Sequence, residues 1–142
     1  MGTGLTLRNL ISGLALFFMV VGLLADPARS DPVGSYDVVG TNPDNGGEYR
    51  GTVTVSRRGD TYEVLWQIGN DQYIGTALGA ELRDNRFLVG PASADDIAIS
   101  VGYVSASIFG IAMYFEQADG TWEGVWTYDG SGTVASEVWF PR

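Results

Sequence analysis

The stretch Thr61-Tyr62-Glu63-Val64-Leu65-Trp66-Gln67-Ile68 decides the fold. Tyr62, Val64, Trp66 and Ile68 fall on one face, and Thr61, Glu63, Leu65 and Gln67 on the other. A period of two with one apolar face marks a half-buried β-strand. The same pattern recurs outward along the chain. Residues 49–56 set Tyr49, Gly51, Val53 and Val55 against Arg50, Thr52, Thr54 and Ser56. Residues 97–104 set Ile97, Ile99, Val101 and Tyr103 against Ala98, Ser100, Gly102 and Val104. Residues 122–128 set Trp122, Gly124, Trp126 and Tyr128 against Glu123, Val125 and Thr127. Beyond Ser30 no stretch shows a helical period.

Turn chemistry separates these runs. Asn42-Pro43-Asp44-Asn45-Gly46-Gly47, Arg58-Gly59-Asp60, Gly69-Asn70-Asp71, Arg83-Asp84-Asn85, Ala118-Asp119-Gly120 and Asp129-Gly130-Ser131-Gly132 supply residues that tolerate positive φ. The pattern predicts strands near 34–41, 48–57, 61–68, 72–79, 86–90, 97–105, 109–117, 121–128 and 133–140. Short connections make sequence neighbours sheet neighbours. An open meander of that many strands would expose two edges, and closure removes them. The expectation is therefore all-β: a closed antiparallel up-and-down barrel of eight or nine strands, with a two-sheet β-sandwich as the alternative. Tyr49-Arg50-Gly51, Tyr73-Ile74-Gly75 and Trp122-Glu123-Gly124 repeat an aromatic-x-Gly step. A glycine on the same face as the aromatic lets the strand bend and lets a neighbouring ring cover bare backbone.

The first thirty residues read differently. Residues 9–25, NLISGLALFFMVVGLLA, carry no charge, and Arg8 precedes them. A short basic start, an apolar run and small residues at Ala28 and Ser30 describe an export signal cut after Ser30, with Ala25 as the second choice. The run is apolar all round, as an N-terminal helix in a membrane would be. It is slightly short for a spanning helix, although Leu5 and Leu7 would extend it into an uncleaved anchor. Residues 1–30 are thus expected to be a signal peptide or signal anchor, and 31–142 a single barrel domain. Either way the domain is exported. The expected location is periplasmic or secreted, or inner-membrane anchored facing the periplasm, with membrane contact only through residues 5–25 if they are kept.

Composition excludes several chemistries. Among 142 residues there is no His and no Cys, and Asp plus Glu outnumber the basic residues 17 to 8, for a net charge of -9. Residues 1–30 contain Arg8 and Arg29 against Asp26, so the remaining domain is one charge more negative than the whole. Without His or Cys there is no Ser-His-Asp triad, no cysteine nucleophile and no usual zinc, haem or iron–sulfur ligand set. Net negative charge argues against nucleic acid as a partner. The chain is read as non-enzymatic, with no cofactor and no metal.

The candidate ligand-binding residues are the aromatics and the methionine expected to face inward: Tyr49, Tyr62, Trp66, Tyr73, Met113, Trp122 and Trp126. An eight-stranded barrel is just wide enough to be filled by side chains or to hold one small ligand. The same residues serve equally as core. Arg58-Gly59-Asp60 is a tripeptide that integrins read, and Gly-Asp is also what a hairpin turn requires. Asn42, Asp44, Asn45 and Glu48 around Gly46-Gly47 offer oxygen ligands for Ca²⁺ without matching the twelve-residue loop, and a solvated turn explains them too. Asp95-Asp96 is a carboxylate pair in a loop, read as facing water. An outer-membrane barrel is disfavoured because the faces opposite the aromatics are read as carrying Arg50, Glu63, Gln67, Glu116, Glu123 and Glu137.

The succession Gly34-Ser35-Tyr36-Asp37-Val38-Val39-Gly40-Thr41-Asn42-Pro43-Asp44, then Tyr49-x-Gly51-Thr52-Val53-x-Val55, then Gly59-Asp60-Thr61-Tyr62-x-Val64-x-Trp66-x-Ile68-Gly69, resembles a group of small exported bacterial proteins. Gly110-Ile111-Ala112-Met113-Tyr114 and Asp119-Gly120-Thr121-Trp122-Glu123-Gly124-Val125-Trp126-Thr127 extend the resemblance over most of 34–139. Members mostly have no assigned function, and some carry a fibronectin-binding label. That label implies matrix adhesion and assigns no residue. A looser similarity, in topology and aromatic-Gly usage, is to calycin-type barrels such as lipocalins and avidin.

Three functions are therefore expected to compete. The first is an exported carrier of a small apolar or aromatic-stacking ligand at the barrel mouth near Trp66, Trp122 and Trp126. The second is an accessory subunit, anchored by its N-terminal helix, whose barrel meets a protein partner of a membrane complex. The third is a surface adhesin for host matrix protein.

Overall fold

The computed structural model describes residues 31–142, and the leader or anchor helix expected over residues 1–30 lies outside the described residues. Nine strands occupy the described residues, with no helix: β1 (Gly34–Thr41), β2 (Glu48–Arg58), β3 (Thr61–Ile68), β4 (Asp71–Arg83), β5 (Arg86–Gly90), β6 (Asp96–Ser105), β7 (Ile108–Glu116), β8 (Trp122–Tyr128) and β9 (Ala135–Pro141). Every pairing is antiparallel.

The sheet closes on itself. β1 pairs with β2 on one side and with β9 on the other, and β3 pairs with β4. The result is an eight-stranded cylinder, β1-β2-β3-β4-β6-β7-β8-β9, with β5 as an extra strand. β4 runs to Arg83, past its pairing with β3, and its far half holds β5 through Gly79↔Gly90 to Arg83↔Arg86. Closure satisfies the backbone groups that two open edges would strand, so the alternating sequence needs no second layer.

Alternation places one face inside. Tyr36, Val38, Val53, Tyr62, Val64 and Trp139 are all at most 5% exposed. Interior glycines make room for neighbouring rings. A Cβ on Gly40 would lie 2.4 Å from the Tyr49 ring, and one on Gly110 2.3 Å from the Tyr103 ring. Of the three aromatic-x-Gly steps, Gly75 faces Trp66, Gly124 faces Tyr114, and Gly51 faces Ile68 and the Gln67 carbonyl. Bare backbone under a ring is thus a recurring packing device of this cylinder.

Three readings of individual residues are corrected here. Met113, expected inside, is on the outer face and 47% exposed, because β7 turns Gly110, Ala112 and Tyr114 inward. Glu137, read on an outer face, is inside and 4% exposed, because it shares the parity of Trp139. Asp96, read as solvent-facing, is 3% exposed. It begins β6 and accepts hydrogen bonds from the Tyr62 hydroxyl and from Ser93 N at 2.9 Å. The outer face is also less polar than expected: Ile74, Leu78, Phe109, Ile111 and Val125 are exposed on β4, β7 and β8.

Candidate functional site: the open end of the barrel

The two ends of the cylinder differ. At one end Asp96, Tyr62 and Trp122 fill the interior, and the loop residue Ala92 donates through its N–H to the Asp60 carbonyl at 2.9 Å. At the other end, where the β1–β2, β3–β4, β6–β7 and β8–β9 turns gather, a cavity of about 490 Å³ opens. Tyr49, Trp66, Tyr73, Tyr103 and Trp126 form its walls, and Glu137 and Tyr114 lie in its depth. Asp44 and Asp71 stand at the rim, where both are exposed.

The floor is built on β9. Three donors converge on Glu137 Oε1: Trp66 Nε1 at 2.9 Å, the Tyr114 hydroxyl at 2.7 Å and Trp139 Nε1 at 2.6 Å. The Tyr49 hydroxyl donates to Oε2. Indole N–H groups can only donate, so this set suits an acceptor-only carboxylate. A buried charge of this kind is tolerable only when hydrogen-bonded throughout. The four donors come from β2, β3, β7 and β9, so one carboxylate ties together strands from around the whole cylinder.

The carboxylate shapes the phenols around it. Burial raises Tyr103 to about 12, and the charge of Glu137 adds to the rise. Burial and then Glu137 push Tyr49 and Tyr114 well above the ordinary tyrosine value. All three therefore stay neutral at physiological pH.

The walls form a connected aromatic chain. Ring centroids lie 6.0 Å apart for Tyr49–Trp126, 6.4 Å for Trp126–Tyr103, 5.9 Å for Tyr103–Trp66 and 6.4 Å for Tyr103–Tyr73, all edge-on or tilted. Trp126 Nε1 is the single buried side-chain polar atom without a hydrogen-bond partner among the described residues. It approaches the Tyr49 hydroxyl without hydrogen-bonding geometry.

Of the residues singled out from sequence, Tyr49, Trp66, Tyr73 and Trp126 come together here. Tyr62 and Trp122 also face inward but sit at the filled end, and Met113 is outside. Sequence reasoning missed Glu137, Tyr103 and Tyr114 as cavity residues. Period two from Trp139 would have found Glu137.

The other candidates are occupied in turns and pairs. Asn42 Oδ1 accepts from Asp44 N at 2.8 Å, Asn45 Oδ1 from Gly47 N at 2.7 Å, and Glu48 pairs with Arg50 at 2.8 Å. Asp44 accepts from the Tyr128 hydroxyl. Among the described residues no group of three His, Cys, Asp or Glu is placed to hold a metal ion. Arg58 pairs with Glu63 at 3.0 Å beside the Gly59-Asp60 turn. In comparisons with known proteins, no family model matches the chain, and no curated protein matches it significantly.

Proposed function

We propose that the protein is an exported, non-enzymatic binding module that takes one small ligand into the open end of its barrel. The observation that carries this reading is the cavity itself. Its volume of about 490 Å³ falls within the usual range for small-molecule sites, roughly 300–1,000 Å³. A barrel built only as a scaffold would be filled at both ends, as this one is around Tyr62 and Asp96. Residues 9–25 support export, and the resemblance to small exported proteins agrees with it.

Native mass spectrometry of protein purified from its host tests the proposal. A retained small molecule, displaced with a change in tryptophan fluorescence, is the expected result. A bare polypeptide mass, with no small molecule perturbing Trp66 or Trp126, would overturn it.

The exposed apolar side chains of β4, β7 and β8 favour a second reading, the anchored accessory subunit, because such patches mark protein contacts. The mature N-terminus separates the two. A chain starting at Asp31 supports the soluble carrier. An intact start in the membrane fraction supports the anchored subunit.

A further inference from the structure

We propose that the ligand of this cavity is a small free organic cation, a methylated ammonium held among aromatic faces above Glu137. The inference rests on the binding-module reading and names its ligand class. Three observations carry it.

First, the lining has a one-sided charge. Asp44 and Asp71 at the rim and Glu137 in the depth are acidic, and no Arg lines the cavity. An anionic ligand would face three carboxylates without a counter-charge. A neutral apolar ligand would sit over a buried carboxylate and gain nothing from it.

Second, the walls are aromatic. Tyr49, Trp66, Tyr73, Tyr103 and Trp126 surround the space with rings tilted or edge-on to one another. Five aromatic rings lining one volume suit the diffuse charge of an alkylated ammonium, which a single carboxylate matches poorly.

Third, the carboxylate and the rings are coupled. Tyr49 and Tyr114 donate their hydroxyl protons towards Glu137, which makes each phenol more electron-rich. Glu137 already accepts from four donors, three on Oε1 and one on Oε2, so its charge need not meet the ligand directly. Its charge acts through the rings and through the buried surroundings of the side chain, which is 4% exposed. The whole protein's negative charge draws cations towards the mouth. A trimethylammonium group could also belong to a lipid headgroup. There the adjoining phosphate would meet Asp44 and Asp71, so the free cation is the better fit.

The test uses three molecules of one shape: choline, the neutral 3,3-dimethylbutan-1-ol and the anionic 3,3-dimethylbutanoate. Binding to the purified full-length protein is followed by tryptophan fluorescence and calorimetry. Choline should bind at least about tenfold more tightly than the alcohol, and the anion least. Glu137→Gln should weaken choline about tenfold and leave the alcohol unchanged. Should that variant fold poorly, Asp71→Asn at the exposed rim should shift affinity the same way by a smaller factor.

Equal binding of choline and the alcohol would overturn the cation assignment and leave the carrier reading standing. Failure of all three, with a bare mass from the host, would remove both. A retained host molecule that is neutral or anionic would overturn the cation alone. Co-sedimentation with phosphatidylcholine vesicles would overturn the free cation in favour of a headgroup.

Discussion

Trp139 donates its indole N–H to Glu137, two residues earlier on the same strand, at 2.6 Å. The pair shares one inward face, so the ring shields the carboxylate while its N–H helps to satisfy it. Trp66, Tyr114 and Tyr49 complete the set from three other strands. A single acidic side chain thereby acts as a cross-barrel fastener as well as the floor of the cavity.

Replacing that side chain should separate its two roles. Glu137→Leu leaves two indole N–H groups and two phenols without their acceptor, and each buried unpaired donor costs about 1–3 kcal/mol. We expect a loss of at least about 3 kcal/mol in denaturant unfolding. Glu137→Gln retains an oxygen for the indoles and an amide that donates to Tyr49, so its cost should stay below about 1.5 kcal/mol. Equal costs for the two variants would refute the fastener.

The filled end makes a steric prediction. A Cβ on Gly79 would lie 2.0 Å from Asp96 Oδ2, and that carboxylate is held by Tyr62 and by Ser93 N. Gly79→Ala should therefore destabilise by about 1–3 kcal/mol, the usual range for overpacking. In an Asp96→Ala background the same change should cost little. A double-mutant cycle with a coupling energy near zero would contradict this account.

Tyrosine titration gives a pH prediction. Burial first, and then nearby acids, raise Tyr36 and Tyr103 to about 12. The unfolded chain loses these protons near the ordinary value of 10.0, while the folded chain keeps them to about 12. Across that window the unfolded state binds fewer protons, so the stability present below pH 10 declines as pH rises. The denaturant midpoint should fall as pH rises from about 10 towards 12. Phenolate absorbance from all seven tyrosines at pH 10 with the fold intact would count against it.

The orientation of β7 can be tested at two adjacent residues. Met113 is outside, so Met113→Ser should change stability by no more than about 0.5 kcal/mol. Ala112 is inside and 4% exposed, so Ala112→Met should cost about 1–3 kcal/mol. The opposite ranking would mean that the strand is turned over.

Much of this architecture was legible in the residues. Alternation from Thr61 to Ile68 fixed a strand that the structure places over the same residues. The turn clusters around Gly46, Gly59 and Gly130 located reversals, and all three glycines have positive φ. The order of the strands followed from short turns everywhere except at β5, which pairs with β4 alone while β6 takes the next place in the cylinder beside β4. Tyr49, Trp66, Tyr73 and Trp126 were legible as inward-facing for the same reason of period.

Other features belong to the tertiary structure alone. β4 continues four residues past the expected Gly79, because its far edge is taken by β5 after β3 has ended. Local pattern cannot register which strand edge is vacant. Period two says which side a residue faces but not how deep along the cylinder it lies. Tyr62 and Trp66 share a face, yet one meets Asp96 at the filled end and the other meets Glu137 beneath the cavity. The sequence by itself determined that residues 31–142 form antiparallel strands with one aromatic face, because alternation and turns are local properties. Closure and register decided that one end packs shut and the other stays open over a buried acid, because that depends on which rings and carboxylates, distant in sequence, reach the same level.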